Sequence, residues 1–326
     1  MSELSASDQH YFKSYDHFGI HEEMLKDEVR TVSYRDAIFQ NRAQFKDKIV
    51  LDVGCGSGIL SMFAAAAGAK HVIGVDRSNI IEMARKVVSD NGFDNKITLI
   101  QGKMEEVELP FDKVDIIVSE WMGYFLLYEA MLDTVLYARD RYLKPDGLIL
   151  PDKAIMRIAA IEDSDYKSQK IEFWDSVYGF DYSAFKSVAL HEPLVDCVSM
   201  NALLSPGSDL FEIDLYTVTK EDLAFDQEFD LVCTDNDKVH GFVVWFDMEF
   251  MKLKHNIRFS TGPQSQETHW KQTVFYTKKD YECYTGEEIR GRMQIKPSEA
   301  NPRDLNISME YKFGDETPEK MTYLFA

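Results

Sequence analysis

The chain has 326 residues, about two domains by the usual size range and enough for a sizeable core. Its formal net charge of −20 argues against a phosphate-backbone partner, which calls for a basic stripe, so direct nucleic-acid binding is not expected. No apolar run reaches the ~18–20 residues of a membrane span, and the start, MSELSASDQH, lacks both parts of a signal peptide, so we expect a soluble, non-secreted protein with no membrane contact.

Residues 1–150 carry 17 Lys and Arg against 24 Asp and Glu, a balance of −7 that leaves −13 for the remainder. Such a surface attracts basic ligands and speeds their encounter, although solubility alone explains it equally well. Cys55, Cys197, Cys233 and Cys283 are scattered without a C-x-x-C pair. Neither a disulfide framework nor a zinc site is expected, and a reducing compartment fits.

Residues 11–41 read as an amphipathic helical stretch with a break at Gly19. Met24, Asp27 and Arg30 recur at three-residue spacing and are expected on one face, with His17 and His21. That histidine pair has neither an H-E-x-x-H pattern nor a third ligand, so no metal is expected. Residues 48–53 form the first buried strand and run into Gly54-Cys55-Gly56-Ser57-Gly58 before a helix over 59–69. A glycine loop there lets a ligand approach the backbone at a helix N-terminus. The dinucleotide fingerprint would place its third glycine at Ile59, and the Gly-Lys-Ser/Thr of a phosphate loop is absent. What remains is D-x-G-x-G-x-G from Asp52, typical of S-adenosylmethionine sites, or else a plain strand-to-helix turn.

Residues 71–76 form the second strand and end in Asp76, an acid placed to accept from ribose hydroxyls. A helix over 78–92 and a strand over 96–100 follow, and behind that strand Met104 precedes Glu105, placed to accept from an adenine amino group unless it simply belongs to a solvated acidic turn. The fourth strand, 114–118, delivers Glu120 at its carboxyl end, and Glu129 follows across eight largely apolar residues. Two fixed carboxylates aimed at one cavity suit acid/base work or the grip of a planar guanidinium. The alternative is that both cap the next helix, read over 128–142, and face water. A turn at 145–147 leads into 148–150.

After Pro151 the runs are short, β-branched or aromatic, as at 155–161, 241–247, 272–276 and 305–311, and predict a β-rich second domain. Within it, residues 163–190 read as helical and carry Phe173, Trp174, Tyr178, Phe180, Tyr182 and Phe185. These rings either form a protein contact or pack on their own barrel. Thr268-His269-Trp270 precedes a strand.

With VLDVGCGSG at 50–58, SEWMGYFLLYE at 119–129, THW at 268–270 and YFKSYDHFGIHEEMLKDEVR at 11–30, the chain resembles the type I protein arginine N-methyltransferases over nearly its whole length. The resemblance implies an α/β fold: a Rossmann-like S-adenosylmethionine-binding domain followed by a β-barrel domain with an inserted helical dimerisation arm. It divides the chain into N-terminal helices over 1–40 that close over the cofactor, a cofactor domain over 41–151 and a barrel over 152–326, with the arm at about 163–190. It gives Glu120 and Glu129 to the target guanidinium, and it pairs His269 with an acid, here Asp27, as further catalytic groups. The cofactor set it implies is Tyr15, His21, Met24, Arg30, Asp52, Gly54, Cys55, Gly56, Gly58, Asp76, Met104, Glu105, Glu120 and Met131, with Tyr11 in the covering helices. Arg30 would pair with the cofactor carboxylate, and Met24 and Met131 would line the acceptor pocket. No metal is implied. Asp76 is a glutamate in some relatives, and the chain starts almost at the first motif, so no membrane-anchoring extension is expected. Monomethyl and asymmetric dimethylarginine on arginine/glycine-rich RNA-binding proteins and on histone tails, a homodimer or higher oligomer, and a nuclear and cytoplasmic location are the further implications. A methyltransferase for a small basic metabolite, or an inactive scaffold, are the competing readings.

Overall fold

A computed structural model of the protein describes residues 15–326. Five short runs of the first half make one parallel sheet: β1 (Ile49–Val53), β2 (His71–Asp76), β3 (Ile97–Gln101), β4 (Val114–Val118) and β5 (Leu143–Leu150), in the order β3-β2-β1-β4-β5. β1 is buried at all five positions, as a strand covered on both faces must be, which explains its lack of alternation. The strand order reverses between β1 and β4, so the glycine loop after β1 and Glu120 after β4 leave the sheet side by side at its switch point.

Among the described residues, α1 (Phe18–Lys26), α2 (Glu28–Phe39) and a single helical turn at Arg42–Phe45 precede the sheet. The break falls at Asp27 and not at Gly19: Asp27 is in an extended conformation (φ −67°, ψ 98°), and its carboxylate accepts from the Arg30 amide to cap α2. Gly19 lies in the first turn of α1, where its amide donates to His17 Nδ1. His17 and His21 therefore part company, His21 Nε2 facing the Tyr15 carbonyl at 2.8 Å.

The second half is antiparallel. β6 (Lys153–Ile161), β7 (Leu194–Asp196), β8 (Ser208–Asp214), β10 (Asp237–Phe250), β11 (Ile257–Ser260) and β12 (Gln272–Cys283) form one sheet, and β9 (Asp226–Val232), β13 (Glu288–Pro297), β14 (Leu305–Phe313) and β15 (Glu319–Phe325) the other. Aromatic side chains close the space between them, with Phe242 of β10 against Tyr311 of β14 at 5.2 Å and against Phe229 of β9 at 5.7 Å. One buried apolar cluster runs from the parallel sheet into this barrel, and Tyr34 of α2 meets Phe250 of β10 edge-on at 5.2 Å.

The sheets are also joined covalently. Cys233, just after β9, and Cys283, the last residue of β12, form a disulfide with Cα atoms 6.5 Å apart. This corrects the expectation of unpaired cysteines and removes its argument for a reducing compartment. The partners are 50 residues apart, and the meeting of two sheets brings them together, which no spacing rule expresses.

The helical insert comprises α3 (Ser164–Lys170), a 3₁₀ turn (Glu172–Asp175) and α4 (Ser183–Leu190). Its root packs on the barrel through Tyr166, Ala189 and Leu190. Its tip does not: Tyr178 is 98% and Phe180 68% exposed, so within this chain the rings are uncovered.

Candidate active site

The glycine loop is held from the second strand. The amides of Gly54 and Cys55 donate to the Val75 carbonyl at 2.8 and 3.1 Å, and the Gly56 amide donates to Asp76 Oδ2 at 2.8 Å. Asp76 Oδ1 accepts from the amide and hydroxyl of Ser78, at 2.7 and 2.6 Å. Gly54 has φ +71°, which favours glycine for the turn, and a Cβ there would stand 2.2 Å from Met131 Cε, so a side chain would displace the end of Met131. Asp52 lies behind this loop, 1% exposed, where it accepts from the Ser61 hydroxyl at 2.6 Å. Burial, eased by that hydrogen bond and reinforced by Asp76, pushes its carboxyl up to about 7.

Glu120 follows β4 directly. Its neighbour Ser119 donates through Oγ to the Val53 carbonyl at 2.8 Å, and the Ser119 carbonyl accepts from Tyr34 OH at 2.9 Å, which fixes the strand end. Arg30 Nε donates to Glu120 Oε2 at 2.9 Å, with both side chains buried. Arg30 Nη1 donates to the Met24 carbonyl at 3.3 Å.

The stretch from Trp121 to Met131 is a knot of turns, and the helix read from residue 128 starts later, at Leu132, as α5 (Leu132–Tyr142). Gly123, Tyr128 and Met131 amides donate to Leu126, Tyr124 and Trp121 carbonyls at 3.1, 2.9 and 2.9 Å. Phe125, Leu126 and Glu129 are left-handed, with φ of 52°, 63° and 54°. Trp270 Nε1 donates from the barrel to the Met122 carbonyl at 3.1 Å. The residue at the cap of α5 is Met131, so neither acid serves as its capping residue.

Asp27 joins the first helices to the barrel. Its Oδ2 accepts from the His269 amide at 2.9 Å and from Nδ1 at 2.7 Å, the pairing expected. Burial raises the Asp27 carboxyl, but the hydrogen bonds from His269 and from the Arg30 amide outweigh it and hold the group below its ordinary value.

These elements enclose one cavity of about 680 Å³. Of the residues singled out above, Tyr15, His21, Met24, Arg30, Gly54, Cys55, Gly56, Asp76, Met104, Glu105, Glu120, Glu129, Met131 and His269 lie on its wall. Asp52 and Gly58 are off the wall: Asp52 faces Ser61, and Gly58, at φ +84°, starts the helix that follows. Asp27 acts on the wall through His269, and Tyr11 lies outside the described residues. Sequence reading missed Thr134, whose hydroxyl donates to Glu105 Oε1 at 3.0 Å, and the barrel residues Lys220, Pro302 and Arg303. Nothing local marks them, since folding alone brings them here. Ser78 did carry a signal, the Asp-x-Ser spacing of a local turn. The open glycine floor, the carboxylate at the end of β2 and the size of the cavity fit an adenosyl ligand.

A family model described as the arginine methyltransferase oligomerization subdomain matches residues 152–316, and one described as a methyltransferase domain matches 50–147. The chain is 61% identical to protein arginine N-methyltransferase 1 of Schizosaccharomyces pombe over 98% of its length and 94% of the relative's. Its namesake in Saccharomyces cerevisiae is 59% identical over 96% and 90%. Among solved structures, the Trypanosoma brucei PRMT1 enzyme-prozyme heterotetrameric complex with AdoHcy superposes with a TM-score of 0.94 at 47% identity, covering 96% of this chain and all of that one. With that geometry and these relatives, the chain belongs to the protein arginine N-methyltransferases of type I, which methylate arginine in proteins with S-adenosylmethionine as cofactor.

Proposed function

We propose that the chain makes monomethyl and then asymmetric dimethylarginine on arginine/glycine-rich segments of proteins, working as a homodimer. The observation that carries the reading is the convergence of Glu120 and Glu129 on the cavity that the glycine loop and Asp76 also line. Glycine-rich flanks suit an approach to a walled cavity, and the surplus of acid favours a cationic chain. The uncovered aromatic tip of the arm supports a second copy as its partner.

Asp76 and Glu105 would hold the nucleoside, and Arg30 and the glycine loop its amino-acid end. When bound, S-adenosylmethionine supplies a methyl group on a positively charged sulfur. A guanidinium, with a pKa above about 12, is a poor nucleophile and is repelled by that charge. Glu120 and Glu129 answer both difficulties: they neutralise the guanidinium, fix its plane and draw its positive charge toward the nitrogens they bind, which leaves the remaining terminal nitrogen electron-rich. Arg30 holds Glu120 by Oε2, so the carboxylate is oriented before substrate arrives. Holding the two reactants in line is worth roughly 7–11 kcal/mol in general, so much of the catalysis is positioning. Glu129, or His269 backed by Asp27, takes the departing proton. Met24 and Met131 bound the space for a first methyl group.

The test is fragmentation mass spectrometry of an RGG-repeat peptide incubated with the protein and S-adenosylmethionine. Asymmetric dimethylarginine supports the reading; symmetric product, or monomethyl product alone, overturns the assignment of the pocket.

A further inference from the structure

Three non-glycine residues in left-handed conformation within five positions, Phe125, Leu126 and Glu129, make the acidic loop costly, at about 1–3 kcal/mol each. Such a conformation persists only where its surroundings impose it. The hydrogen bonds inside the loop bind it to itself. Outside the loop, Tyr34 of α2 donates to Met122 Sδ at 3.9 Å, and the barrel contributes Trp270 on the Met122 carbonyl, Phe275 against Phe125 at 5.3 Å, and Phe325 of β15. The Phe325 ring lies flat on Tyr128, centroids 4.3 Å apart and planes 1° from parallel, and also meets Phe125 at 6.2 Å. Tyr128 is the residue immediately before Glu129. Phe325 is 7% exposed and its strand is anchored, since Leu324 N–H donates to the His191 carbonyl at the end of α4, 3.0 Å away.

We propose that Phe325 is a positioning residue for methyl transfer: its ring fixes Tyr128, and through it the placement of the Glu129 carboxylate. It touches neither substrate nor cofactor. A parallel ring stack carries an orientational preference beyond its buried area and resists tilting of the partner ring, so the support is directional, which an aliphatic side chain of similar volume does not reproduce. The inference rests on Glu129 receiving the substrate guanidinium.

The experiment compares wild type with Phe325→Ala, Phe325→Leu, Phe325→Tyr, Tyr128→Leu and the double variant Tyr128→Leu/Phe325→Ala. It measures kcat and peptide KM per folded molecule with an RGG peptide, the affinity for S-adenosylhomocysteine, and the Tm. We expect kcat to fall on the order of 10- to 100-fold in Phe325→Ala, as a displacement of about 1 Å does. Cofactor affinity should stay within about twofold, because the glycine loop and Asp76 are untouched. Phe325→Tyr should restore turnover, Phe325→Leu should keep the Tm and still turn over slowly, and the double variant should be no slower than the worse single one. Should Phe325→Ala fail to fold, Phe325→Leu carries the comparison. Wild-type turnover in Phe325→Leu, or additive losses in the double variant, overturns the proposal. A wild-type protein that leaves the peptide unmethylated refutes the underlying reading instead, so the two failures are told apart.

Discussion

Arg30 Nε stands 2.9 Å from Glu120 Oε2, both side chains buried, so a guanidinium of the chain itself already grips one of the two carboxylates that we assign to the substrate guanidinium. The contact does two things. It supplies the countercharge that a buried carboxylate needs, and it ties the helix α2 to the end of β4.

The two acids should therefore respond differently to the same change. Glu120→Gln and Glu129→Gln should each lower turnover at least about 100-fold, the scale for removing one electrostatic partner of a transition state, while S-adenosylhomocysteine binding largely survives. Glu120→Gln should in addition lose about 1–3 kcal/mol of stability, because Arg30 remains buried without its countercharge. Urea unfolding and a methylation assay on each purified variant decide it, and normal turnover in either refutes the assignment.

The Asp27–His269 pair predicts an acid-side dependence of stability. The folded Asp27 carboxyl lies below its unfolded value near 3.9, so its stabilisation is complete above that value and disappears as pH falls through the folded one. The stability gap between wild type and Asp27→Asn should be full above the unfolded value of about 3.9 and shrink as pH falls below it. A gap that widens as the pH is lowered contradicts this.

Asp52 predicts the opposite slope. Its carboxyl is pushed up to about 7, above the unfolded value, so the folded state holds the proton more tightly and its advantage is lost as pH rises from about 4 to 7. Relative to Asp52→Asn, wild type should lose up to about 4 kcal/mol across that window, three pKa units at about 1.4 kcal/mol each. Denaturant unfolding at pH 4.5 and pH 8 reads the difference directly, and parallel curves for the two proteins would sink the idea.

Gly123→Ala should abolish turnover while the protein stays folded. A Cβ at this position would stand 1.7 Å from the Tyr128 carbonyl oxygen, and backbone cannot step aside as a flexible side chain can. The loop must open, carrying Glu129 with it. Circular dichroism beside an activity assay checks both halves, and an active Gly123→Ala enzyme refutes the picture of a tightly closed loop.

Strands β2 and β4 were legible to the residue, because a strand buried on both faces shows as a short, largely apolar run, broken in β4 only by Asp115. Residues 121–131 were not. Their apolar content announced packing, but the knot depends on Trp270, Phe275 and Phe325, which lie 140 residues or more downstream, and no local pattern carries such contacts. Asp27 shows the intermediate case: an Asp followed by Glu is a fair helix-start signal, yet it was read as one position on a continuous face. Glu120, Glu129, Asp76, Gly54, Gly56 and His269 line one cavity, since motif spacing survives errors in helix boundaries, whereas Asp52 and Gly58 stand off its wall.

Asp27 divides its carboxylate between two masters: Oδ1 caps α2, and Oδ2 holds the backbone and ring of His269. Helices α1 and α2 and the histidine are consequently interlocked, like a door wired to the machine behind it. Under the proposed mechanism, in which His269 takes the departing proton, any displacement of these helices would carry off the histidine's partner in the same movement and leave the relay incomplete.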